Sequence, residues 1–275
     1  MRVQRIAAFS CGGTGGNPAG VVLAEALPDA ARMQAVAAEV GFSETAFATP
    51  ERGGWRVRYF APAIEVPFCG HATIALGAAL ALRHGDGRHD LHLNEGTISV
   101  EGWREGGLRA SLQSPPTRSA AADPALVADA LALFGLDRQV LDARIPPALA
   151  EAGARHLVLA LRDRDALAGM RYDLARGAVL MSAAGLVTVA LVQAETPGLF
   201  HARNAFAAGG VAEDPATGAA AAALAGYLRD LGWPHGGAIA IRQGEDMGVP
   251  CLLHAVIGEA PGSSIRVSGG ARVMA

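Results

Sequence analysis

Phe68-Cys69-Gly70-His71-Ala72-Thr73 runs directly into Ile74-Ala-Leu-Gly-Ala-Ala-Leu-Ala-Leu82. The stretch reads as a turn opening into an apolar helix. Gly70 lacks a Cβ, so the backbone there bends tightly and lets a ligand approach. The first N–H groups of a helix have no internal acceptor and lie at the positive end of the helix dipole, a natural seat for a carboxylate. His71 adds a titratable side chain at the same point.

The stretch has an echo. Thr217-Gly218-Ala219 opens a second Ala-rich helix, and Gly70 falls on Gly218 at an offset of 148 residues. The same offset sets Leu76 on Leu224, Leu80 on Leu228, and Ala72 and Ala75 on Ala220 and Ala223. One match is noise in an Ala-rich chain; several in register predict an internal repeat.

With 275 residues, 51% of them hydrophobic, the chain is long enough for two ordinary domains with a sizeable core. The net charge of −3 offers no basic field for a nucleic acid. Every basic residue is Arg. The absence of Lys excludes Schiff-base chemistry, pyridoxal phosphate included, and the Lys-dependent phosphate loop. Cys11, Cys69 and Cys251 are odd in number and far apart, which predicts neither a disulfide scaffold nor a metal site and fits a reducing compartment. The N-terminus has no signal-like apolar core, and the apolar runs at 72–82 and 219–228 are too short to span a bilayer. A cytoplasmic protein with no membrane or nucleic-acid partner is expected.

Along the chain, strands are predicted at 3–9 and 19–23, and a helix over 28–40 starts at Pro28-Asp29 and stops at Gly41. The Gly-rich loop 11–18 lacks the spacing of a dinucleotide site. Alternation from Thr45 and again over 55–60 predicts a hairpin, and short strands follow at 91–94, 97–100 and 108–112. Ser114 to Pro124 reads as a linker, with a domain boundary near 115. Beyond it, a helix over 124–134 ends at Gly135, a strand spans 156–161, and a helix begins at 163. Further strands are predicted at 186–193, 199–206, 239–243, 251–257 and 265–274. Short strands around single buried helices, given twice, predict an α+β fold. The expected domains are residues 1–115, joined by the strand 265–275, and 116–264.

Four pieces invite convergence: Glu44, Gly70-His71, Asp214 and Thr217-Gly218-Ala219. Two helix N-termini would clamp an anion across a cleft, and a carboxylate beside them would act as base. Each residue has a plainer reading. Glu44 is a surface side chain at a turn or a carboxylate in a partly dry pocket. His71 fills a polar niche or takes part in chemistry, Asp214 before Pro215 is a common turn opener, and Cys69 reads as a small buried residue.

The chain resembles the PhzF family of phenazine-biosynthesis-like isomerases, relatives of diaminopimelate epimerase. The resemblance rests, in order, on Gly16-Asn17-Pro18, Ser43-Glu44-Thr45-Ala46-Phe47, Phe60-Ala61-Pro62, Cys69-Gly70-His71-Ala72-Thr73 and Glu213-Asp214-Pro215-Ala216-Thr217-Gly218. Gln243-Gly244, Met247-Gly248 and Val267-Ser268-Gly269-Gly270-Ala271 complete it. It implies two similar domains, each a mostly antiparallel sheet or barrel wrapped round a central buried helix. It also implies a homodimer, no cofactor and no metal. Glu44 is then the acid/base that moves a proton on a small carboxylate-bearing substrate. His71 and Asp214 complete the catalytic set, and Asn17, Gly70, Ala72, Thr217, Gly218 and Ala219 bind substrate. Three positions depart from the family pattern. Ala219 stands where Ser is usual, and Val249 and Cys251 stand where a Gly-Arg-Pro-Ser run is common. The rival readings are a small-carboxylate-binding protein without chemistry and, less favoured, a two-thiol racemase or epimerase. The latter lacks its second Cys, because Thr217 stands at the matching place.

Overall fold

In a computed structural model describing residues 1–275, the stretch that opens at Gly70 is a helix, Gly70–His84, buried at every position from His71 to Ala81. Its echo is the helix Gly218–Asp230, buried from Ala220 to Leu228. A helix apolar all round has no solvent face and must be enclosed. Both are enclosed by strands, in two units: Met1–Gln113 with Ser268–Ala275, and Ser114–Val267. The fold is α+β.

The first unit runs β1 (Gln4–Ser10), β2 (Asn17–Leu23), α1 (Ala30–Val40), β3 (Thr45–Glu51), β4 (Gly54–Phe60), β5 (Glu65–Val66), α2 (Gly70–His84), β6 (Gly87–Leu93), β7 (Gly96–Trp103) and β8 (Arg109–Gln113). The second runs β9 (Arg118–Ala121), α3 (Pro124–Phe134), β10 (Ala148–Glu151), β11 (Arg155–Ala160), α4 (Arg164–Ala168), α5 (Leu174–Ala183), β12 (Thr188–Thr196), β13 (Leu199–Ala205), β14 (Glu213–Asp214), α6 (Gly218–Asp230), β15 (Ala238–Gln243) and β16 (Cys251–Val256). The last strand, β17 (Arg266–Val273), returns from residue 268 onward to the first unit.

There β17 pairs antiparallel with β1, Ile6 opposite Val273, and also with β8, where the Ala271 N–H donates to the Leu108 carbonyl at 2.8 Å. The ring β1-β2-β3-β4-β6-β7-β8-β17 is thereby closed around α2. Closure removes the exposed edges of an open sheet. In the second unit, β9-β10-β11-β12-β13-β15-β16 form a continuous run of paired strands, and β9, β10, β11, β15 and β16 contact α6. The repeat extends to pairing sense. The parallel steps β2–β3 and β4–β6 correspond to β11–β12 and β13–β15, and the hairpin β3–β4 corresponds to β12–β13.

Close packing explains the composition of the central helices. A Cβ on Gly102 of β7 would stand 2.2 Å from the Gly77 carbonyl oxygen of α2, and one on Gly226 of α6 would meet the Thr117 side chain at 2.6 Å. Strands β11, β12 and β13 of the second unit are buried on both faces over most of their length. Leu157, Leu159, Val189 and Leu191 join a core under α3, α4 and α5, while Ala190, Val192 and Ala202 lie beside Ala220, Ala221 and Leu224 of α6. Double burial makes the strands near-continuous apolar runs. In the first unit α1 covers the sheet through Met33, Val36 and Ala37, which pack with Val22, Phe47 and Phe60. It is capped as the sequence predicts, by Asp29 at the start and Gly41, φ 72°, at the end.

Three expectations need correction. The segment read as a linker contains β9, which pairs with β10. The helix expected from residue 163 stops at Ala168, and α5 follows as a separate helix. Strand β10 went unpredicted. Arg118-Ser-Ala-Ala121 lacks β-branched residues and clear alternation, so its state is set by its partner rather than by propensity.

His156 is fully buried on β11. Thr188 donates its hydroxyl to Asn204 Oδ1 at 3.2 Å, so His156 Nδ1, 2.8 Å from Thr188 Oγ1, carries the hydrogen and donates. Burial pushes its pKa down from 6.5 to about 4. In the unfolded chain the imidazole protonates first, so its contribution is complete above pH 6.5 and is lost as pH falls toward 4. The loss is about 3 kcal/mol. The unfolding free energies at pH 7.5 and 4.5, from urea titrations, are expected to differ less in His156→Leu than in the parent by about 3 kcal/mol.

Candidate functional site

The surface helices α1, α3 and α5 have Asp side chains accepting from their first turns. The two central helices have none. Cys69 and Thr217 occupy the N-cap positions of α2 and α6 without a side-chain cap bond. The first backbone bonds run from Thr73 N–H to the Cys69 carbonyl and from Ala221 N–H to the Thr217 carbonyl, each 3.0 Å. The N–H groups of Gly70, His71 and Ala72, and of Gly218, Ala219 and Ala220, therefore have no acceptor within their own helices.

Glu44 sits at the end of the turn between α1 and β3, its carbonyl accepting from the Gly20 N–H at 3.1 Å. Its carboxylate lies 3.4 Å from His71 Nε2, with side-chain exposures of 18% for Glu44 and 8% for His71. Ser43 Oγ is 3.3 Å from the same nitrogen, and Cys69 Sγ is 3.3 Å from Nδ1. The imidazole thus stands between a carboxylate and a thiol. The turn carrying it is anchored from inside the barrel. Thr73 Oγ1 donates to the Cys69 carbonyl at 2.7 Å, and the Tyr59 hydroxyl donates to Thr73 Oγ1 at 2.7 Å. Burial pushes the Tyr59 phenol well above its ordinary pKa and keeps it a neutral donor.

In the second unit Thr217 Oγ1 donates to Asp214 Oδ2 at 2.6 Å. Gln243, 1% exposed, fixes this turn from below. Its Oε1 accepts from the Thr217 N–H at 3.2 Å and its Nε2 donates to the Asp214 carbonyl at 2.7 Å. Gln243→Ala removes a partner from two backbone groups and is expected to cost about 2–3 kcal/mol. Urea unfolding of the variant, alongside its activity, checks this. Of the remaining expected site residues, Gly70, Ala72, Gly218 and Ala219 lie in the two first turns. Asn17 heads β2 opposite Ala8 and is only 2% exposed.

Sequence reading missed a clamp that occurs twice. Each two-residue strand leading to a central helix is held by an Arg–Glu pair. Arg58 on β4 binds Glu65 through Nε at 2.8 Å and Nη2 at 2.6 Å, and Arg203 on β13 binds Glu213 through Nε at 3.0 Å and Nη2 at 2.5 Å. The bond to Arg58 holds the Glu65 carboxyl below its usual range. Burial opposes the charge on Arg203, and the Glu213 carboxylate outweighs it, so its pKa is raised. No helix is long and apolar enough to cross a membrane.

The family model for phenazine biosynthesis-like protein matches residues 6–275. A trans-2,3-dihydro-3-hydroxyanthranilate isomerase of Pseudomonas fluorescens is 33% identical over 249 residues, 87% of this chain and 84% of its own. A relative from Deinococcus radiodurans, named an uncharacterized isomerase, is 34% identical over 237 residues, 84% of this chain and 77% of its own. Among solved structures, a Bacillus anthracis phenazine biosynthesis protein of the PhzF family superposes with a TM-score of 0.86 over 100% of this chain and 98% of that one, at 20% identity. That likeness speaks for the fold alone. A predicted epimerase from Pseudomonas aeruginosa gives 0.84 over 100% and 97%, at 27% identity. With a family model spanning nearly every residue and isomerases among the relatives it matches over most of their length, this chain is a member of the phenazine biosynthesis-like, or PhzF, family.

Proposed function

We propose that the protein is a cofactor-independent isomerase acting on a small carboxylate-bearing substrate, with Glu44 as the acid/base. The observation that carries this reading is the Glu44 carboxylate, largely shielded and 3.4 Å from His71 Nε2, at the uncapped first turn of α2. The turn supplies N–H donors for the substrate carboxylate. Glu44 removes a proton from a C–H next to an unsaturated, electron-withdrawing system, the electron pair shifts the double bond, and Glu44 returns the proton to another carbon on the same face. His71 positions the Glu44 carboxyl group before and between the two transfers. Asp214, held by Thr217, and the uncapped first turn of α6 form a like set of hydrogen-bonding groups in the second unit.

The relative from Pseudomonas fluorescens carries the name of an isomerase for trans-2,3-dihydro-3-hydroxyanthranilate. Ala219, lacking the hydroxyl usual in the family, favours a different cyclic or unsaturated acid here. Incubation in D₂O with a panel of such acids, including the dihydro-hydroxyanthranilate, tests the reading. A substrate converted with one deuteron in the product is expected. An acid that raises the Tm without turnover or exchange would instead identify a carboxylate-binding protein.

A further inference from the structure

The Glu44–His71–Cys69 cluster holds one donor more than the proton transfer uses. A carboxylate oxygen, a ring nitrogen and a thiol sulfur lie within 4.8 Å of one another. Cys69 is 9% exposed and His71 7%. Zinc bonds of about 2.3 Å to sulfur and 2.0–2.2 Å to nitrogen or oxygen place two ligands of a tetrahedral ion about 3.4–3.6 Å apart. The nitrogen–oxygen edge here is 3.4 Å and the nitrogen–sulfur edge 3.3 Å. These two edges use different nitrogens of the one ring. An ion takes one of them, and the third donor closes by a side-chain rotation.

We propose that Glu44, Cys69 and His71 form a site for a thiophilic divalent cation of the zinc class, and that an ion bound there silences proton transfer. Binding releases the Cys69 proton and engages thiolate, imidazole lone pair and carboxylate together. Glu44, its charge engaged by the ion, is then a far weaker base toward a substrate proton. Soft and borderline donors select zinc or cobalt over magnesium or calcium, which require shells of oxygen. The silencing rests on the proposed role of Glu44; the binding does not.

The test uses the full chain, stripped with chelator and titrated with Zn²⁺ alone, with Co²⁺ as an optical reporter. One ion per chain, a raised Tm and a thiolate-to-cobalt charge-transfer band are expected, with no response to Mg²⁺. Cys69→Ser should lose the band and zinc binding, while Cys11→Ser should keep both. A wild-type chain without the band, or a band surviving Cys69→Ser, overturns the site whether or not other variants fold. Solvent exchange that continues at saturating Zn²⁺ overturns the silencing. Zinc binding in a protein whose stripped form exchanges no protons leaves the site standing and removes the acid/base reading. Exchange without zinc binding does the reverse.

Discussion

Glu44→Gln is expected to abolish solvent-proton exchange and turnover, by about 10²–10⁴-fold or more, while leaving the substrate's effect on Tm in place. The amide matches the carboxylate in size and can keep the 3.4 Å contact with His71 Nε2. It has no basic electron pair at neutral pH, so the transfer itself is lost. The amide is isosteric and keeps the contact with His71, so little stability is expected to change. Mass spectrometry of substrate recovered from D₂O separates the steps. Exchange at the parent rate in Glu44→Gln would remove Glu44 from the chemistry. His71→Asn should lower turnover less steeply, since it acts on the carboxylate rather than on carbon.

Arg203→Leu is expected to destabilise the protein by about 3–5 kcal/mol, the cost of stranding one partner of a buried ion pair. The Glu213 side chain is 6% exposed and loses both charge-assisted bonds. The carbonyls of Ala168 and Met170 lose a donor as well. The counterpart Arg58→Leu acts on a pair exposed to 23% and 27%, where water replaces the lost partner, and should cost only about 1 kcal/mol. Urea unfolding of the two variants side by side measures the difference, and equal losses would contradict the burial argument. Activity should fall in Arg203→Leu beyond the loss of folded protein, because Glu213 adjoins Asp214 on β14.

Much of this was readable in the sequence where one local rule decided the outcome. Asp29 and Gly41 bound α1, and the all-round apolar runs announced two enclosed helices at matching offsets. The α5 segment gave no such signal. Only Gly177 and Met181 are buried there, and Val179 is 70% exposed, so no apolar stripe of helical period stands out. Glu44 was nameable through the motif around it, but its approach to His71 depends on a parallel β2–β3 register that no window of residues contains. The Arg–Glu clamps are harder still. Their partners are separated by 7 and 10 residues and meet only because the short strands fold back on β4 and β13.

The return of β17 to the first unit has a consequence for biosynthesis. The segment 114–267 is one uninterrupted piece and is translated before residues 268–275. The earlier-synthesised unit must wait with β1 and β8 lacking their shared neighbour until those last residues emerge. A chain stalled before Ser268 therefore leaves β1 and β8 without that partner, exposing strand edges for chaperones or aggregation to find.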